Sequence, residues 1–209
     1  MSSPKQLVDG FRRFHERHLT ADGAQFQDLV QFGQTPKVLV VACCDSRVDP
    51  SLVLDCAPGD LFVIRNVANL VPPAENQGHF HGTSAALEFG VCDIGVSHII
   101  VLGHAQCGGI HALLEGGVGR EGSFIAEWMG IADAAREQVE QELAGASEKL
   151  RHRACEQQAL LASLKNLMTF SWIRERVEQG QLTLHGWYFD MEGGELLGYN
   201  AATRQFEKL

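Results

Sequence analysis

The sequence predicts an α/β fold: a mainly parallel central sheet flanked by helices, with a C-terminal strand pair and an N-terminal amphipathic helix. Three observations predict it. The stretches "VLVVAC" (38–43), "LFVIRN" (61–66) and "HIIVLGH" (98–104) are continuous apolar, β-branched runs, as strands buried on both faces require. Helical patterns follow or separate these runs, and strands alternating with helices give a mainly parallel sheet. No repeat, linker or low-complexity stretch interrupts the 209 residues, a length that builds one sizeable core, so one domain is expected.

Element by element, residues 5–19 set Leu7, Val8, Phe11, Phe14 and Leu19 among charges and predict the amphipathic helix. "TSAALEFGVCDI" (83–94) places Leu87, Val91 and Ile94 on one helical face. Cys107 to Glu115 reads as a short helix stopped by Gly116 and Gly117. Residues 123–143 and 148–179 read as helices, the second with a stripe of Leu160, Leu164, Leu167, Met168 and Trp172. "QLTLHGWYFDMEGGELLGYN" (181–200) predicts two strands around a Gly-Gly turn. "VPPAENQGHFHG" (71–82) is the longest loop-like segment.

Composition narrows the function. The net charge is −9 and the pI about 5.4, with no basic stripe, which argues against nucleic acid and favours a small-molecule ligand. No apolar run approaches the roughly 18–20 residues of a membrane span. The N-terminal "MSSPKQLVDGFRRFHERHL" lacks the apolar core of a signal peptide, so a cytoplasmic protein is expected. The six cysteines are then not a disulfide framework, and the absence of C-x-x-C removes a thioredoxin-like redox motif.

The chemistry concentrates at two strand ends. Cys43 closes the first apolar run, His104 closes "HIIVLGH", and Cys107 lies three residues further on. Ligands of open α/β sheets bind outside the carboxyl ends of the strands. If these strands are neighbours, the three side chains converge, and two thiolates with one imidazole suit Zn²⁺ with a fourth position open. Two plainer readings compete. Each cysteine could simply pack, or Cys44 or Cys56 could complete a closed structural site. Side chains alternate along a strand, so Cys44 is expected to turn away from Cys43 into the core; Cys92 and Cys155 fall in helices and also read as packing. Asp45 and Arg47 follow Cys43 directly, and a guanidinium beside a carboxylate keeps it ionised. An ionised carboxylate next to the metal can accept a hydrogen bond from a zinc-bound hydroxide.

The strings C-x-D-S-R (Cys43 to Arg47) and G-H-x-x-C-G (Gly103 to Gly108) together resemble β-class carbonic anhydrases. "PGDLFVIRNVANLVPP", "LHGWYFD" and "GYNAATRQF" resemble the same family, so the likeness runs from about residue 5 to 209. It implies a single carbonic anhydrase domain over residues 1–209 that hydrates carbon dioxide reversibly to bicarbonate and a proton. One Zn²⁺ per subunit would sit on Cys43, His104 and Cys107, with Asp45 and Arg47 as the catalytic dyad. Asp45 itself would become a ligand in a closed form. It also implies a dimer or tetramer, with Gln34 reaching the substrate pocket across the dimer interface. Phe62, Val67 and Phe89 would be apolar pocket walls and Gly108 a backbone N–H facing the substrate. Two alternatives keep the zinc site: hydrolysis of carbon disulfide or carbonyl sulfide, and a non-catalytic zinc-binding relative.

The sequence departs from the family at three points. Val40 stands where the bicarbonate-inhibited branch has tryptophan, which puts a second bicarbonate site in doubt although Arg65 is present. Phe89 and Asp93 stand where plant members place a tyrosine and a histidine as proton carriers, which leaves His79 and His81 as candidates by residue type alone. His15, His18, His98, His111, His152 and His185 belong to no motif and read as surface or core.

Overall fold

The computed structural model describes residues 3–20, 24–75, 81–117 and 122–209, with side chains throughout except at 24 and 25. Helix α1 (Pro4–His18) opens on a capping box: Ser3 Oγ accepts from Gln6 N and Gln6 Oε1 accepts from Ser3 N. It buries no residue, and Leu7, Val8 and Phe11 lie exposed along it. Next come α2 (Ala24–Phe32), strand β1 (Val38–Cys43), a single turn α3 (Pro50–Val53) and β2 (Leu61–Asn66). Helix α4 (Gly82–Glu88) widens into a π-helical turn, Phe89–Ile94, and β3 (His98–His104) leads into α5 (Gly108–Leu114). The expected helix over 123–143 is α6 (Phe124–Met129) and α7 (Asp133–Glu142), joined by a 3₁₀ turn at Gly130–Ala132. The expected helix over 148–179 is likewise two, α8 (Glu148–Leu167) and α9 (Ser171–Glu178). The chain closes with β4 (Thr183–Asp190), β5 (Glu195–Asn200) and β6 (Gln205–Lys208).

One six-stranded sheet runs in the order β2-β1-β3-β4-β5-β6. The first four strands are parallel and β5 and β6 return antiparallel, which gives the mainly parallel sheet with a C-terminal strand pair. β6 extends that pair beyond what the sequence pattern showed. Alternate residues of β1 and β3 face two separate apolar layers. Leu39, Val41, Ile99 and Val101 pack with Leu87, Val91, Leu160 and Ile173, and Val40, Ala42, Ile100 and Leu102 fill the other side. Both sets are at most 4% exposed, so the strands are buried on both faces as their composition demands.

Two glycines set how close α8 comes to the sheet. A Cβ at Gly186 would stand 2.7 Å from Leu160 Cδ2, and one at Gly103 would stand 3.0 Å from Leu160 Cδ1. This close approach carries Glu156 of α8 to the carboxyl end of β3, where it accepts a hydrogen bond from the backbone of Cys107.

Candidate metal centre

β1 and β3 are direct neighbours, with Ala42 opposite Leu102, so Cys43 and His104 end at the same edge of the sheet. The chain then makes a tight turn, with Gln106 in the left-handed region at φ 58°, and returns Cys107 as the residue before α5. The Cys43 and Cys107 sulfurs and a His104 ring nitrogen all lie within 4.8 Å of one another, and all three residues are buried. The convergence expected from the sequence is present.

The ring of His104 is fixed by its surroundings. Nδ1 is 2.8 Å from the Ala105 carbonyl, which can only accept, so in the neutral ring Nδ1 carries the hydrogen and Nε2 the lone pair. Nε2 is buried and has no hydrogen-bond partner among the described residues. A buried nitrogen lone pair facing two sulfurs is an unsatisfied acceptor that a cation would satisfy. Of the two sulfurs, Cys43 is the one favoured as a thiolate. The Cys107 thiol donates to Cys43 and lowers its pKa, against burial, with help from His104 and the Asp45 backbone N–H. Cys107 is pushed up by Cys43 and by burial, while the N–H groups of Ile110 and Gly109 oppose that rise. Two sulfurs and one imidazole nitrogen form a donor set that fits Zn²⁺.

Beside these three stands a clamp of charged groups. Asp45 Oδ1 accepts from Arg47 N at 2.9 Å and Nε at 3.0 Å, and Oδ2 accepts from Nη2 at 2.7 Å. Hydrogen bonding to Arg47 outweighs burial and holds the Asp45 carboxyl well below the usual range, so it is ionised. Arg47 is itself held by the Gln106 carbonyl at 3.0 Å and Oε1 at 3.3 Å. Gln106 Nε2 donates to Glu192, which pairs with Lys149.

Residues that no spacing pattern pointed to support the site. Arg65 donates to the carbonyls of Cys43 at 3.0 Å and Asp45 at 2.7 Å, and to Asp49 Oδ2 at 2.8 Å. It therefore fastens the turn that carries Cys43 and Asp45. Glu156, 5% exposed, accepts from Cys107 N at 2.9 Å through Oε1 and from Tyr188 Oη at 2.6 Å through Oε2. Burial pushes its carboxyl up, and those two donors hold it partly back.

The remaining expected residues are spread more widely. Phe62 and Phe89 pair at 6.0 Å between ring centroids, with Phe89 half exposed, on the side of the Leu39–Val91 core. Val67 packs instead with the cluster around Cys43 and accepts from Trp128 Nε1 through its carbonyl. Val67 also lines a cleft of about 760 Å³ with Asn66, Thr83, Ile125 and Trp128, to which none of Cys43, His104 and Cys107 contributes. Gln34 is exposed between α2 and β1. Gly108 begins α5 with no atom within 4 Å of where a Cβ would be; the crowded glycine is Gly109, whose Cβ would stand 2.9 Å from Val67 Cγ1. Cys44 is exposed rather than packed, because β1 ends at Cys43 and strand alternation no longer governs the next residue. Cys92 is exposed too, on the π-helical turn, while Cys155 is buried as expected. Asp93 is exposed on that same turn, His81 precedes α4, and His79 lies outside the described residues.

The family described as carbonic anhydrase matches residues 38–196. A carbonic anhydrase of Pseudomonas aeruginosa is 38% identical over 205 residues, which are 98% of this chain and 91% of that protein. The mitochondrial beta carbonic anhydrase 6 of Arabidopsis thaliana is 39% identical over 87% of this chain, and the chain spans 62% of that relative's length. Among solved structures, the β-carbonic anhydrase CcaA superposes with a TM-score of 0.91 at 32% identity, covering 98% of this chain and 91% of the other. A tetrameric β-carbonic anhydrase of Sordaria macrospora superposes at 0.79 and 30% identity, covering 94% and 95%. With the family matched over most of its length and the fold shared along nearly all of it, this chain belongs to the β class of the carbonic anhydrases.

Proposed function

We propose that residues 1–209 form one zinc-dependent carbonic anhydrase domain that reversibly hydrates carbon dioxide to bicarbonate and a proton. The observation that carries the reading is a buried Cys43–His104–Cys107 cluster with an unpartnered His104 Nε2, next to an aspartate clamped by arginine. Cys43, His104 and Cys107 would hold one zinc ion. Bound there, zinc would supply a Lewis acid that lowers the pKa of a coordinated water.

The chain's own residues do the rest. An ionised carboxylate has about four lone-pair positions and no hydrogen to donate. Arg47 occupies three of those on Asp45. The one remaining can only accept, so Asp45 would accept a hydrogen bond from the attacking oxygen and so turn its lone pair toward the substrate carbon. Arg47 keeps Asp45 charged and keeps it off the metal, since a carboxylate is itself a competent zinc ligand. Gln34, Phe62, Val67, Phe89 and the Gly108 N–H are assigned to substrate binding through the family likeness; an apolar slot suits a substrate without charge or dipole.

We also place the enzyme in the cytoplasm and assemble it as a dimer or tetramer. All six cysteines are free, which suits a reducing compartment. Exposed Leu7, Val8 and Phe11 on a helix that buries nothing support self-association. The test is stopped-flow hydration on purified protein, with zinc content and sedimentation measured in parallel and a carbon disulfide assay beside it. Fast hydration at one zinc per chain supports the reading. Disulfide hydrolysis without hydration, or a zinc-loaded protein inert to both, overturns it.

A further inference from the structure

A second group of side chains of metal-ligating type lies outside the site above. His111 sits on α5, and Glu148 and His152 sit on α8, one helical turn apart and so on one face. Their ligand atoms all lie within 4.8 Å of one another. Donors around a tetrahedral zinc at about 2.0–2.1 Å stand about 3.3 Å apart, so small side-chain rotations close the gap.

Three features favour a cation here. First, the helices that carry the group are anchored: Ile110 of α5 and Cys155 of α8 are buried in one core cluster, and Ser147 caps the start of α8. Second, the two imidazole rings meet with centroids 4.5 Å apart and planes inclined by 58°, which brings nitrogen donors from two helices to one place. Burial, followed by His111, lowers the pKa of His152, which favours the neutral ring that ligates metal. Third, among the described residues two carboxylates stand beside the group. Glu115 Oε1 is 3.6 Å from His111 Nδ1, too long for a hydrogen bond, and Glu148 adds a second carboxylate. Of the basic residues nearby among the described residues, Lys149 is taken up by Glu192 and Arg153 by Asp190, while Arg151 carries a charge that opposes a cation at His152.

We propose that His111, Glu148 and His152 form a second divalent-metal site, a surface site of two imidazoles and a carboxylate that ties α5 to α8. The donor set contains no sulfur and suits Zn²⁺ or another late first-row ion, with the remaining positions taken by water. The proposal is independent of the reaction assigned above.

The test uses the full chain already carrying one zinc per subunit. Titration with further Zn²⁺ followed by calorimetry is expected to show a second equivalent, absent from the double variant His111→Ala/His152→Ala. In Glu148→Gln its affinity should fall about 10-fold or more, the scale of losing a supporting group around a metal. Co²⁺ used as the second equivalent should lack a thiolate-to-metal charge-transfer band, since no sulfur is within the cluster. Failure to find a second equivalent, its persistence in the double variant, or a thiolate band on it would overturn the proposal. Should the double variant lose its first zinc as well, Glu148→Gln alone decides. That side chain is exposed at the start of α8, and an unchanged affinity there refutes the site.

Discussion

Strand β3 carries a histidine at each end, and the two have opposite fates. At its amino end His98 is half-buried, with Nδ1 3.2 Å from Nε2 of His185 on the adjacent β4. At its carboxyl end His104 is buried, one ring nitrogen committed to the Ala105 carbonyl and the other facing two sulfurs. The residue type, the strand and the parallel neighbours are the same. What differs is what the connections deliver. At the amino end the neighbouring backbone of Lys37 satisfies His98 N, and one imidazole answers another. At the carboxyl end β1 delivers Cys43 alongside, and the turn after β3 brings back Cys107. Chemistry gathers at the carboxyl edge because the turns leading to the following helices converge there.

Exchanging the two ends in turn gives the largest effect. His104→Ala should remove both metal and hydration activity, while His98→Ala should leave one zinc per chain and a wild-type rate. Metal analysis and stopped-flow hydration on both variants check this. A His104→Ala protein that keeps its zinc would dissolve the distinction between the ends.

The supports of the carboxyl end come next. Arg47→Ala should retain zinc and lower hydration by roughly 10–100-fold, the usual scale for a group that orients a site from behind. Wild-type rates in that variant would remove Asp45 from the role assigned to it. Glu156→Leu would leave the Cys107 N–H and the Tyr188 hydroxyl without their acceptor, at about 1–3 kcal/mol for each buried group. The denaturation midpoint should fall with an unchanged slope, and Glu156→Gln, which keeps an acceptor oxygen, should recover part of the loss. Equal midpoints for Leu and Gln would mean that the hydrogen bonds at Glu156 contribute nothing.

The two ends also differ in how far they could be read from sequence. The β1, β2 and β3 runs were legible because strands buried on both faces must be apolar throughout, and their limits, 38–43, 61–66 and 98–104, coincide with those in the structure. Cys43, His104 and Cys107 were legible because each lies at or just past a strand end, so local spacing carries the information. Glu156 was not. It is 49 residues from the Cys107 N–H it accepts from, and a glutamate in a helix ordinarily faces water. Gln106 looked like a spacer in H-x-x-C, yet its carbonyl and side chain hold Arg47. The breaks at Gly130–Ala132 and between α8 and α9 were missed because the apolar stripes continue across them. The one-turn α3 is too short to show any period, and α2 was not singled out at all.

The smallest effect concerns the amino end, and it is one of pH. Burial, followed by the neighbouring His98, lowers the pKa of His185 in the folded protein. An unfolded histidine titrates near 6.5. Above that value both states hold His185 neutral, and it contributes no pH dependence. As pH falls below about 6.5, the unfolded chain takes up a proton that the folded chain declines, so stability is lost. The loss stops growing once pH passes below the depressed folded value, where both states are protonated. Trp187 lies 6.2 Å from the His185 ring and contributes no charge of its own to this balance. His185→Gln should therefore flatten the stability profile between about pH 5 and 7, relative to wild type, without changing zinc content or hydration. Taking the difference between the two proteins cancels the acid sensitivity of Cys43 and of Asp45, which both share. Denaturant midpoints across that range measure it. Parallel profiles would show that His185 does not titrate in the way its burial implies.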